Sequence, residues 1–196
     1  MSKKQTYGER IIDLANQMKV NGEEMRSWAN IPLAKEALEL IRTLPEEEQE
    51  SPLGKAYALN AIFERLSEYD TPRLGLEILR EELAQLKASD EESNWLTEED
   101  INADIARLED YIDLSLSAEE FCKRHHRHLK FDPIERTRQW EENIYEADKE
   151  ADAAMGDFPR GMGYCHGFWP SLKAALAKRG IAWQTPSELN PRVMFD

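Results

Sequence analysis

The stretch "AYALNAIFERLSEYDTPRLGLEILREEL", residues 56–83, decides the fold class. Leu59, Ile62, Phe63 and Leu66 recur at three- and four-residue steps, the period of one helix face. "EYDTP" then interrupts the pattern, and Pro72 stands where a new helix opens. Leu76, Leu79, Leu83 and Leu86 resume the same period. The pattern predicts an antiparallel helical hairpin, one arm from about Pro52 to Tyr69 and the other from Pro72 to about Leu86.

Working outward, the same grammar repeats. Tyr7, Ile11, Leu14, Ala15 and Met18 share a face up to an Asn21-Gly22 stop, and Leu33, Ala34, Ala37, Leu38 and Ile41 share another up to Leu44-Pro45. "EEEQESP", residues 46–52, reads as a solvated acidic linker. Thr97 with Asp100, Ser117 with Glu120, Asp132 with Glu135 and Thr185 with Glu188 each place an N-cap oxygen three residues ahead of a carboxylate, the signature of a helix start. The start at Asp132 leads into a stripe of Trp140, Ile144, Ala147, Ala151 and Ala154 that Gly156 ends, and a further helix is expected from Pro170 to Arg179. No segment alternates as a strand does.

Composition agrees with an all-α reading. The chain has 196 residues, 41% hydrophobic and 33% charged, which is long enough for a core without disulfide staples. The start of the chain has no apolar stretch behind its basic residues, and no apolar run approaches the roughly 20 residues that cross a bilayer, so no membrane association and a cytoplasmic location are expected. The two cysteines are then reduced thiols. A net charge of −14 repels phosphate backbones and argues against general nucleic-acid binding.

Residues 56–83 resemble a tetratricopeptide-like hairpin, with Leu59, Asn60, Phe63, Tyr69, Leu76 and Leu79 near that repeat's packing positions. Upstream, "LAKEALELIRTLP", residues 33–45, is similar to the second helix of such a unit. Pro72 stands where the repeat has a small alanine, Asn60 replaces its glycine, and the spacing between units is irregular. The expected architecture is an all-α helical bundle or short α-α superhelix over residues 1–130. A loop-rich helical C-terminal cap, 131–196, packs into one domain with it.

Two segments carry residues with chemical potential. "CKRHHRH", residues 122–128, sets Cys122, His125 and His126 at i, i+3 and i+4, a helical spacing that lets side chains share one metal ion. "GDFPRGMGYCHGFWP", residues 156–170, adds Cys165 and His166, which would complete a tetrahedral zinc or other transition-metal site. Cys165 is also a candidate nucleophile. His166 beside it in sequence points elsewhere, so a base would have to be His125 or His126. Neither segment has a CxxC or HExxH pattern, and no cofactor is required by the sequence.

Gly161 and Gly163 next to Arg160 form a loop able to cradle an anion. The favoured reading makes these glycines the means by which Tyr164, Phe168 and Trp169 dock on the bundle with Trp183 and Phe195. The basic run "KRHHRHLK", residues 123–130, has the charge to grip a phosphate, an RNA segment or an acidic partner, but the favoured reading packs it beside the acidic helix that carries Glu141 to Asp152. The functional expectation is a protein-interaction or adaptor module with a protein or peptide partner, in which Arg160, Gly161, Gly163, Tyr164 and Trp169 are candidate binding residues. The alternative is a metal- or thiol-dependent enzyme joining the 122–128 helix to the 160–166 loop.

Overall fold

Helix starts fall where side-chain oxygens can cap them. Thr6 opens α1 (Tyr7–Glu23) with a reciprocal Thr6–Glu9 capping box. Ser51 caps α3 (Pro52–Phe63), which α2 (Asn30–Arg42) precedes. After α4 (Pro72–Ala88), Thr97 caps α5 (Glu98–Ile112) through the Asp100 amide, and Ser117 does the same for α6 (Ala118–Arg124) through Glu120. Thr137 opens α7 (Arg138–Met155), Gly163 precedes α8 (Tyr164–Ala177), and Thr185 caps α9 (Pro186–Leu189). These elements come from a computed structural model that describes residues 6–45 and 51–195, all of them helix, turn or loop. Most of the expected acidic linker, residues 46–50, lies outside them.

The chain divides into two compact units, Met1–Leu108 and Glu109–Asp196. In the first, α1 packs on α2 and α3, α2 on α3, and α3 on α4, the hairpin of residues 56–83. Its core includes Leu14, Met18, Ala34, Ala37, Leu59, Ile62, Ile78 and Leu79, all essentially without solvent contact. Each large aliphatic side chain buried in this way stabilises by about 1.5–3 kcal/mol.

Two details of this unit differ from the periodic pattern. The first arm ends at Phe63, not Tyr69: the Arg65 and Leu66 amides close on Ile62 and Phe63, three residues back, and the Asn30 side chain of α2 donates to the Arg65 carbonyl. On α4 the buried stripe runs Gly75, Ile78, Leu79 and Glu82, so a glutamate occupies a core position and Leu83 and Leu86 are only half-buried.

The second unit begins within α5. Residues 109–131 are tied to the remainder of this unit by Arg136. This buried guanidinium donates to the carbonyls of Asp110, Tyr111, Asp113 and Leu116. Tyr111, Phe121 and Phe131 form a ring cluster with centroids 5.2–5.9 Å apart. The expected helix start at Asp132 is a single 3-10 turn, Pro133–Arg136, after which Thr137 is extended and α7 begins. On α7 Trp140, Ile144, Ala147 and Ala151 are buried as expected while Ala154 is exposed, and the helix packs along α8.

Among the described residues, no helix is long and apolar enough to cross a membrane.

Candidate binding groove

The basic segment does not continue as a helix. α6 stops at Arg124, His126 takes a left-handed conformation (φ 52°), and the Arg127 amide closes the end on the Cys122 carbonyl at 2.9 Å. This is a Schellman-type stop with histidine where glycine is usual. The helical i, i+4 geometry expected for Cys122 and His126 therefore does not exist. His125 lies against the Phe121 ring, and its Nε2 is 2.9 Å from Asp110 Oδ2, which Arg124 also engages. The Cys122 Sγ donates weakly to the Leu129 carbonyl, and burial pushes its thiol pKa up, away from a reactive thiolate. Because a left-handed histidine costs energy that glycine avoids, His126→Gly is expected to stabilise by roughly 0.5–1 kcal/mol, read as a raised Tm.

The second segment is also more helical than its glycines imply. Gly163, at φ 79°, supplies the left-handed turn into α8, so Cys165 and His166 sit in that helix's first turn. Pro170 lies inside the same helix. At Gly167 α8 comes so close to α7 that an added Cβ would sit 2.7 Å from Met155 Cε.

Arg160 holds no open anion site: its guanidinium is paired with Asp152, and the buried Tyr164 hydroxyl joins both at 3.1 Å. Burial first, and then the Asp152 carboxylate, raise the Tyr164 pKa. The acidic face of α7 finds its cations here and just past the end of α8, where Lys178 and Arg179 pair with Glu150. In the basic run, expected to serve that face, Arg124 and His125 pair with Asp110. Among the aromatics, Tyr164 stacks on Phe168 and Trp169 meets Phe195 edge-on, while Trp183 packs on Trp140.

Cys165, His166 and Trp169 line a cleft of about 260 Å³ with Lys173, Thr185 and Glu188. Cys122 lines a different one, and the two share no residue. Among the described residues no three His, Cys, Asp or Glu side chains are grouped to hold a metal ion, so Cys122, His125, His126, Cys165 and His166 do not form the expected tetrahedral set.

The larger of these two clefts, about 420 Å³, combines apolar and cationic side chains. Its floor is Ala118, Cys122, Phe131 and Leu189, and its rim carries Arg127, His128 and Lys130 against one carboxylate, Glu119. The Arg127 guanidinium lies over the Phe131 ring, 4.7 Å from its centroid, which fixes both. The buried Asn190 accepts from the Lys130 amide and donates to the Lys130 carbonyl, each at 2.9 Å, and thereby clamps the extended rim segment beside α9. Just after the rim segment, Asp132 receives the Gln184 amide, and the Trp183 indole donates to Glu135 at 2.8 Å.

Comparison with known protein families, with curated proteins and with solved structures finds no match. The groove's own geometry therefore carries the functional reading.

Of this groove, sequence reasoning singled out Cys122 and the basic run but not Phe131, Leu189 or Asn190. The available signal was the position of "KF" at 130–131, where an aromatic directly follows the last cation of that run.

Proposed function

We propose that the protein is a peptide-docking module, and that the groove of the second unit takes an extended acidic segment with one large apolar side chain. The observation that carries this reading is the pairing of an apolar floor with a cationic rim, in a chain whose net charge is −14. Two permanent cations and a histidine against one carboxylate make this a local exception to the chain's acidity. Acidic residues flanking an anchor in the floor would be drawn to that rim. A volume of about 420 Å³ lies within the range of small-ligand clefts and suits one aliphatic or aromatic side chain with its adjoining backbone. The hairpin of α3 and α4, read as tetratricopeptide-like, supports an interaction role in general terms.

The test is fluorescence anisotropy of the full chain with two labelled peptides, one leucine flanked by glutamates and one leucine flanked by lysines. The acidic peptide is expected to bind, with affinity falling as salt rises, and Lys130→Glu is expected to weaken it about tenfold. Equal binding of the two peptides, or binding by neither, would overturn the proposal.

A further inference from the structure

Glu82 is the one carboxylate of the first unit that its surroundings do not neutralise by pairing, among the described residues that are fully buried. It lies on α4 with no solvent exposure, and neither carboxyl oxygen makes a hydrogen bond of ordinary geometry. Asn60 of α3 lies beside it, and the other charged neighbours are acidic: Glu64 at the end of α3 and Asp104 of α5. The nearby cation on α5, Arg107, is committed elsewhere. It binds Glu68 at 2.7 Å and Asp104 at 2.6 Å, and its Nη1 reaches the Tyr69 hydroxyl at 3.1 Å. A buried carboxylate in such company is expensive, whereas the protonated acid is a nearly isosteric polar group.

We propose that Glu82 is a built-in proton acceptor: α3, α4 and α5 pack fully only when it is neutral, so the first unit is held more firmly in mildly acidic than in alkaline solution. The device is independent of the groove, and its failure would leave the peptide reading untouched.

The sign follows from linkage. Burial, the largest cause, with Asp104 and Glu64 adding to it and Asn60 opposing, raises the Glu82 pKa from 4.5 to about 7. The folded unit therefore keeps a proton that the unfolded chain has released. The stabilisation is complete below the unfolded value of 4.5 and is lost as pH rises through about 7.

Thermal and urea unfolding of the full chain, wild type against Glu82→Gln, across about pH 5 to 9 tests this. Glutamine keeps the shape of the protonated acid and cannot ionise. The variant's folded-to-unfolded ratio should match wild type near about pH 5 and exceed it by roughly ten- to a hundredfold at about pH 8.5. A difference that does not change with pH would overturn the proposal. If Glu82→Gln does not fold, calorimetry of the wild type near about pH 6 in buffers of different ionisation enthalpy reads the proton directly. Release of close to one proton on unfolding supports the proposal, and none released or net uptake contradicts it.

Discussion

Replacing Arg136 by methionine is expected to destabilise the second unit by about 4 kcal/mol, enough to unfold it at moderate urea. The reason lies in the count of acceptors. α5 ends at Ile112, and the carbonyls of a helix's last turn have no partner within the helix. Here the Arg136 guanidinium supplies the donors, serving Asp110 and Tyr111 in that last turn and Asp113 and Leu116 in the loop after it. Methionine fills the volume but removes those four bonds; the Asp113 carbonyl keeps the Leu116 amide, and each of the others that water cannot reach is left unpaired at about 1–3 kcal/mol. Lysine is no substitute, since one ammonium cannot present the planar fork of donors that spans four oxygens. Urea denaturation followed by near-UV circular dichroism checks this. Arg138→Met, an exposed change two residues away, serves as the control and should shift stability by no more than about 0.5 kcal/mol. Equal effects at 136 and 138 would refute the capping role.

The second large effect is expected at Asn30, where α2 begins. Its side-chain amide donates to the Met18 carbonyl at 3.0 Å and the Arg65 carbonyl at 2.8 Å, while its oxygen accepts from Asn21 at 2.9 Å. One fully buried side chain therefore joins α1, the start of α2 and the turn after α3. Asn30→Leu removes three bonds and should cost about 2–3 kcal/mol. Asn30→Asp should cost more at neutral pH, about 3–4 kcal/mol, because it turns a carboxylate oxygen toward two carbonyls. Chemical denaturation of both variants gives the order. A leucine variant less stable than the aspartate variant would show that size, not donor chemistry, governs the position.

Arg136, Asn30 and Glu82 mark the boundary of what the sequence made legible. Local signals read well: Thr97, Ser117 and Thr185 cap the helices that begin after them, and the apolar stripes of α1, α2 and α3 are buried. Their partners lie within four residues, so periodicity and capping chemistry suffice. Arg136 and Asn30 meet partners up to 35 positions away, and nothing within a helical turn announces them. Glu82 alone had a local sign, since it continues the 75, 78 and 79 series that the packing follows.

The candidate site shows the same division. Glycine and proline made residues 156–170 read as a loop, yet Gly163 starts a helix and Pro170 sits within it. The i, i+4 spacing of Cys122 and His126 promised a shared ion, yet His126 is the residue at which the helix ends. Spacing predicts side-chain convergence only where the backbone continues in one conformation. Asn190, which positions the groove's rim, is 60 residues from the backbone it clamps.

The most direct test of the docking claim is a selection of displayed random peptides on the immobilised full chain, repeated on the Lys130→Glu variant. The proposed groove predicts enrichment of sequences with one large apolar residue flanked by aspartate or glutamate, and loss of that enrichment on the variant. Basic or charge-indifferent winners, or acidic winners that the variant retains equally well, would contradict it.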